Sequence, residues 1–218
     1  ARRQLLDHCE PFELILSAEL SVRGEPLKHA HFPNEGFLSL VIDVDSHPPL
    51  EVGTVGVESM LGSELVLGTA ATPWRALVQG AGSSWRIGAA QLRTQCDALP
   101  ELRNLLKACL LARLHQQTLA SACQRYHEIA PRLARWLLMS EDRSRTATFH
   151  VTQEFLALML GVRRVGVTQA ASHFQDSGLI SYHRGELSIL NRKALEQQAC
   201  SCYAADKAIY NRLMRARA

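Results

Sequence analysis

Residues 152–178 read TQEFLALMLGVRRVGVTQAASHFQDSG, and the punctuation of this stretch decides the fold. Thr152 is a good helix N-cap, because its hydroxyl can accept from an amide of the first turn, and Glu154 suits the positive end of the helix dipole. Leu156, Met159 and Leu160 give that helix an apolar side before Gly161 interrupts it. In the next helix Val167, Ala170, Ala171 and Phe174 recur at three and four residues, and Gly178 closes it. If that stripe faces a core, then Arg163, Arg164, Thr168, Gln169 and Ser172 face outward, with no acidic group among them.

Working outward, Leu179 to Ser181 and Leu187 to Leu190 read as two strands joined across Arg184-Gly185. Helix, glycine turn, helix and hairpin is the order of a winged helix-turn-helix, with 163–176 as the second helix. The outward side chains fit that reading chemically. Arginine reads guanine bidentately, glutamine reads adenine, and threonine and serine reach phosphates. The N-terminal end of the second helix, where Arg163 and Arg164 sit, is the part such a motif inserts into the major groove.

The charge agrees. The 218 residues carry 24 Lys/Arg and 21 Asp/Glu, a net +3 that hides an asymmetry. Residues 1–128 hold 11 basic and 14 acidic groups, net −3, whereas residues 129–218 hold 13 and 7, net +6. A basic C-terminal segment is the electrostatic footprint of a phosphate-binding surface. With 47% apolar and 21% charged residues the composition is that of a globular protein. No membrane partner is expected, because even Leu102 to Leu114 is broken by Arg103, Lys107 and Arg113.

Upstream, a helix is expected from near Ile129, with Pro131 in its first turn and Leu133, Trp136, Leu137 and Leu138 on its buried side, to about Ser140. A loop to Thr148 and a short strand around Phe149 and Val151 follow. Before it, Asp97 suits an N-cap, Pro100 a first turn, and Leu99, Leu102, Leu106, Leu110 and Leu114 form one stripe of a helix running to about Tyr126. Such a helix is about 40 Å long at 1.5 Å per residue. That exceeds what a small barrel needs for cover, so Leu102, Leu106, Leu110 and Leu114 are expected to pair with a second copy. From Phe12 to Arg93, strand-length apolar runs such as Phe37 to Ile42 alternate with glycines, the texture of an antiparallel sandwich or barrel. Ser59 to Gly68 reads as a short helix or apolar turn between strands.

Six cysteines, at 9, 96, 109, 123, 200 and 202, form no regular framework and read as reduced, buried thiols. Cys200-Ser-Cys202 lacks C-x-x-C spacing and has no second pair, so no metal is expected. The sequence has no nucleophile elbow, phosphate loop or Ser-His-Asp order, and Gly80-Ala-Gly82 is a lone turn, so an enzyme is not expected. No signal-peptide pattern opens the chain; with Ala1 first, the natural N-terminus is expected to have been removed or to lie outside it.

On these residues the chain resembles the Crp/Fnr family of bacterial transcription regulators along nearly its whole length. The N-terminal marks are Phe32-Pro-Asn-Glu-Gly36, Ser39-Leu-Val41 and Val55-Gly-Val-Glu-Ser-Met-Leu-Gly62. The C-terminal marks are Arg132-Leu-Ala-Arg-Trp-Leu-Leu138, Thr152-Gln-Glu154, Gly161-Val-Arg-Arg164, Val167-Thr168 and Gly178-Leu-Ile-Ser181. The tail Cys200-Ser-Cys-Tyr203 is similar to an extension in one branch. The resemblance implies an α+β chain: a cyclic-nucleotide-binding-like double-stranded β-roll as sensor (1–97), a dimerisation helix (98–128) and a winged helix-turn-helix with a C-terminal extension (129–218). It implies a cytoplasmic homodimer on a two-fold symmetric double-stranded DNA site, with RNA polymerase as a further partner.

Carried over one by one, Arg164 matches the family's guanine-reading arginine, Gln169 stands where an arginine often does, and Val165 replaces a common cytosine-reading glutamate. Thr152 and Thr168 fall at phosphate-side positions, Gln153 beside them is expected to bind DNA, Arg163 and Ser172 lie on the same face, and His183 and Arg184 at the wing tip. In the sensor, cyclic-nucleotide binders of this fold carry an arginine followed by Ser/Thr; here Ala71-Thr-Pro-Trp-Arg-Ala76 has alanine in its place. An uncompensated buried phosphate is unfavourable, so the signal is expected to be other than cAMP, an unidentified small-molecule effector. The iron–sulfur branch needs an N-terminal cysteine cluster, and only Cys9 is present. His29, His31 and Cys96 are the conceivable haem ligands; no cofactor is expected. The rival reading is a small-ligand signalling module whose C-terminal part binds protein.

Overall fold

The computed structural model describes residues 2–69 and 71–215. After a short helix α1 (Arg2–Leu6), the glycine-punctuated part forms β1 (Glu10–Leu14), β2 (Glu19–Ser21), β3 (His29–Pro33), β4 (Phe37–Ile42), β5 (Leu50–Val55), β6 (Arg75–Gly80) and β7 (Gly82–Gly88). They pair antiparallel as two sheets, β1-β7-β3 and β2-β6-β4-β5, which close a roll around Leu38, Leu40, Val55, Met60, Leu61, Ala76, Val78 and Ile87. Gly36 makes the β3–β4 turn possible: its φ is +78°, and a Cβ there would lie 2.2 Å from the Gly80 carbonyl oxygen. Between β5 and β6, Ser63–Leu67 is a single 3-10 turn held between two left-handed glycines, Gly62 and Gly68.

Two helices follow where one was expected. Residues Ala89–Ala98 form α2, which buries Ala89, Leu92, Gln95 and Cys96; Asp97 is in its last turn and caps nothing. Leu99 then breaks the chain direction, and Pro100–Tyr126 forms the long helix α3. The leucine stripe is correspondingly split. Leu102 and Leu106 are buried in the roll's own core, Leu110 is half-buried and Leu114 is exposed, so the first two are not a free surface. The apolar side chains that α3 leaves exposed are Leu105, Leu111, Leu114 and Tyr126.

The remainder is α4 (Ile129–Ser144), β8 (Thr148–His150), α5 (Gln153–Leu160), α6 (Arg164–Asp176), β9 (Ile180–His183), β10 (Glu186–Ile189), α7 (Arg192–Gln198) and α8 (Cys202–Arg215). Helix α4 runs four residues past the expected end, because Ser140, Arg143 and Ser144 are buried there. Strands β8-β10-β9 form a small antiparallel sheet. Among the described residues no helix is long and apolar enough to cross a membrane.

The second core is shared between the two ends of the chain. Phe37 and Val41 of the roll pack with Leu133, Trp136 and Leu137 of α4, and Trp136 stands edge-on to Phe37 and to Phe149 at 6.3 and 6.1 Å between centroids. Polar contacts close the same joint. Glu51 of β5 accepts from Ser39 Oγ at 2.6 Å and Trp136 Nε1 at 3.0 Å. Arg143 of α4, 5% exposed, donates to Glu58 at 3.0 Å, and Tyr210 of α8 donates to the Glu58 carbonyl at 2.6 Å.

Desolvation pushes the Glu51 carboxyl up to about 7, against the opposing pull of its two hydrogen bonds and of Arg143 and Arg135. The neutral form therefore contributes stability that is complete below the ordinary value of 4.5 and is lost as pH rises through about 7. Urea unfolding across this range is expected to show wild type losing on the order of 2–3 kcal/mol relative to Glu51→Gln between pH ~4.5 and ~7.5. A difference independent of pH would show that Glu51 ionises normally.

Candidate nucleic-acid interface

Local sequence rules fix the placement of the helix pair. Thr152 Oγ1 accepts from the Phe155 amide at 3.1 Å, capping α5. Gly161, at φ +61°, ends it in the left-handed region, and its amide donates back to the Leu158 carbonyl at 3.1 Å. Arg163, extended at φ −71° and ψ 141°, starts α6, so the helix proper begins at Arg164. Val167, Ala170, Ala171 and Phe174 are buried; Arg163, Arg164, Gln169 and Ser172 are exposed, and Thr168 is half-buried. Val165 lies on the open surface at 66% exposure, so its apolar side chain is presented outward.

Three contacts lock the motif. Thr168 Oγ1 donates to Gln153 Oε1 at 2.7 Å, tying α6 to the first turn of α5. Tyr182 of β9 donates from its phenol to the Val151 carbonyl at 2.7 Å, and its amide donates to Gln175 Oε1 at 3.1 Å. Burial raises the Tyr182 phenol to about 12, although Arg164 nearby pulls it down. Gln175 and Tyr182 were not identified from the sequence; a glutamine at the end of α6 and a tyrosine in a strand carry no distinctive spacing.

The wing tip is a two-residue turn. Arg184 at φ +52° and Gly185 at φ +86° both lie in the left-handed region, the requirement of a type I′ hairpin turn. The turn brings Arg184 to the same open cleft as Thr152, Gln153, Arg164 and Tyr182, which Glu154 also lines. Of the residues expected at the interface, Thr152, Gln153, Arg164 and Arg184 thus converge directly. Arg163, Val165, Gln169 and Ser172 continue along the exposed side of α6, and His183 is exposed beside Arg184. This is a concave, cationic, donor-rich surface built on rigid elements.

Residues 131–198 match the family model described as the Crp-like helix-turn-helix domain. That segment is similar to a Crp-like helix-turn-helix domain. The chain as a whole has the fold of the Crp/Fnr regulators. FixK2 from Bradyrhizobium japonicum superposes with a TM-score of 0.71 at 14% identity, over 88% of this chain and 98% of that one. The c-di-GMP responsive global regulator CLP of Xanthomonas campestris gives 0.65 at 16%, over 86% and 97%. A transcriptional regulator of the Crp/Fnr family from Eubacterium rectale gives 0.67 at 17%, over 91% and 94%. No curated protein matches the chain.

The roll differs from the Crp-like domain in how it uses its cations. Arg75 is held by Asp43 through two bonds of 2.9 Å and lies 3.7 Å from Glu19, so its guanidinium is already compensated. Arg113 enters from α3, 5% exposed, donating to the Met60 carbonyl at 2.7 Å and lying 3.5 Å from Glu64. His31 is a core histidine, edge-on to Phe12 at 4.9 Å, with burial and then His29 and Arg86 lowering it to about 4. Cys96 is buried on α2.

At Gly185 an added Cβ would lie 2.6 Å from the His150 ring, in a backbone conformation that side chains rarely adopt. Gly185→Val is accordingly expected to lower stability by about 1–3 kcal/mol, measured by chemical unfolding, and to displace the wing. Unchanged stability would show that the turn does not depend on the left-handed conformation.

Proposed function

We propose that the protein is a homodimeric, sequence-specific regulator of transcription that places α6 of its Crp-like domain in the major groove of a two-fold symmetric DNA site. The observation that carries this reading is the convergence of Arg164, Arg184, Thr152 and Gln153 on one cleft, continued by Arg163, Gln169 and Ser172 along the exposed side of α6. Arg164 and Gln169 read bases, Arg163 and the hydroxyls of Thr152 and Ser172 hold phosphates, and His183 and Arg184 follow the adjacent backbone, while Thr168, its hydroxyl proton committed to Gln153, holds the helix pair in register. Val165 offers a methyl-bearing surface, which favours contact with thymine over recognition of cytosine.

In this reading 1–97 is the sensor, 98–128 the dimerisation helix and 129–218 the DNA-binding part, acting in the cytoplasm with RNA polymerase as partner. The two recognition helices stand about 34 Å apart. The dimer seam is the exposed side of α3, where Leu111, Leu114, Thr118, Ser121 and Arg125 follow one another at three and four residues. An open apolar groove between α3 and the roll, lined by Phe32, Met60 and Leu105, adjoins it. The small-molecule signal is other than cAMP: Arg75 is neutralised by Asp43 and Arg113 is turned to Glu64, which supports a pocket without a free cation for a cyclic phosphate.

Selection from random duplexes with the full chain is expected to enrich a palindromic site, and Arg164→Ala to weaken binding to it by roughly 5- to 150-fold, about 1–3 kcal/mol. Failure to enrich any palindrome, or weak binding with a shallow salt slope, favours a protein-binding role for the helix pair. For the seam, sedimentation of Leu114→Arg is expected to show a monomer where wild type is a dimer. A dimer that survives Leu114→Arg together with Leu111→Arg places the interface elsewhere.

A further inference from the structure

Outside both cores lies a third small cluster, Cys123, Cys200 and Cys202, all under 9% exposed, with Leu119 packed against it. Cys123 is in the last turn of α3, and His127, four residues on, caps that helix, so the two side chains share one face. Cys200 precedes α8 and Cys202 is its first residue; the Cys200 carbonyl accepts from the Tyr203 amide, and its amide donates to the Pro131 carbonyl. Folding thus brings residues 73 or more positions apart in sequence into one knot. The three sulfurs and a His127 ring nitrogen all lie within 4.8 Å of one another.

Two of those separations already match a coordination polyhedron. Cys123 Sγ is 3.5 Å from Cys200 Sγ, and Cys202 Sγ is 3.6 Å from His127 Nδ1. Metal–ligand lengths of about 2.3 Å to sulfur and 2.0–2.1 Å to imidazole place tetrahedral edges at about 3.8 Å between sulfurs and 3.5 Å between sulfur and nitrogen. The donor set is soft, three sulfurs and an imidazole, which selects zinc-class ions over magnesium or calcium. The surroundings suit the resulting charge: three thiolates around a divalent ion leave one net negative charge. Arg135 lies close enough to favour all three thiolates and has its Nε buried without a hydrogen-bond partner.

We propose that Cys123, His127, Cys200 and Cys202 form a tetrahedral Cys3His site for a single zinc-class divalent cation, clamping the end of α3 to the start of α8. The position gives the ion a defined task. It sits at the bend between the long helix and α4, and α8 both packs along α3 and carries Asp206, which lies 3.9 Å from Arg143 at the joint between the roll and the Crp-like domain. Loading stabilises one setting of that bend by mass action, since the ligands are together only in the folded chain.

The full chain, purified reduced from zinc-supplemented cells, is expected to contain about one zinc per chain by elemental mass spectrometry. Exchange into Co2+ is expected to give the intense visible bands of tetrahedral cobalt with thiolate charge transfer in the near ultraviolet. Chelation is expected to lower the melting temperature of wild type by about 5 °C or more, reversed by added zinc. Cys200→Ser with Cys202→Ser is expected to lose the metal, whereas Cys109→Ser, elsewhere on α3, keeps it. The proposal is overturned by a reduced wild-type chain that takes up neither zinc nor cobalt, by full metal content in the double variant, or by a metal-free chain isolated with a Cys123–Cys200 disulfide. The chelation experiment decides the matter on wild type alone should the double variant not fold, and none of these readings depends on DNA binding.

Discussion

The buried guanidinium of Arg143 is the constraint around which the two ends of the chain are arranged. It projects from α4 into the roll, bonds Glu58 at 3.0 Å and lies 3.9 Å from Asp206 of α8. Taking a cation out of water costs several kcal/mol unless partners of opposite charge and good geometry replace the solvent. That requirement explains the neighbours. Gly56 is obligatory because a Cβ there would lie 2.4 Å from the Arg143 Cβ, and the Val57 amide donates to the Arg143 carbonyl at 3.1 Å. The shape of the segment Val55-Gly-Val-Glu58 is therefore dictated by the cation it receives: a small residue for approach, an amide for the helix carbonyl, a carboxylate for the charge. Trp136, two turns earlier on α4, and Glu51 of β5 then seal the same seam, so the roll and the helix-turn-helix share packing instead of being beads on a linker.

What was legible in the sequence follows from which signals are local. The cap at Thr152, the glycine at 161, the stripe through Phe174 and the hairpin at Arg184-Gly185 are each specified within a few residues, and the structure has them where local chemistry places them. Helix α2 was not legible because its buried side is Ala89, Leu92, Gln95 and Cys96, too weakly apolar to announce a period. The leucines of α3 did announce one, but periodicity says only that a face is buried, not against what. Leu102 and Leu106 meet the roll of their own chain, while the outward row begins at Leu111 and Leu114. Chain topology, which brings α2 and the 3-10 turn onto the first turns of α3, made that division.

The four-residue knot shows the same limit from the other side. Cys200-Ser-Cys202 gives a poor metal spacing by itself, and the missing pair is a cysteine and a histidine at helical i, i+4 spacing on a different element. Nothing in a linear scan connects them. The connection is made by α8 doubling back along α3, and that in turn is held by Asp206 and Tyr210 at the Arg143 joint.

The charge asymmetry also changes meaning once its cations are located. Of the 13 basic groups in residues 129–218, Arg132 is turned inward to the Leu160 carbonyl, Arg135 and Arg143 face Asp206, and Arg192 is surrounded by Glu141, Asp142 and Glu196. These hold the domain together and have no charge to spare for a polyanion. Of the others, Arg163, Arg164 and Arg184 stand on the open side of the helix pair and wing, with hydroxyl and amide donors beside them, whereas Arg145, Lys193, Lys207 and Arg212 are exposed on other elements. Counterion release scales with the phosphates neutralised, not with net charge, so in the proposed complex the attraction to DNA is set by the exposed cations that reach the duplex. In the proposed homodimer that set is doubled by symmetry, and with it the number of phosphates neutralised. On the proposed reading, a dimer seam on α3 is thereby as much a part of the DNA-binding surface, energetically, as the recognition helix.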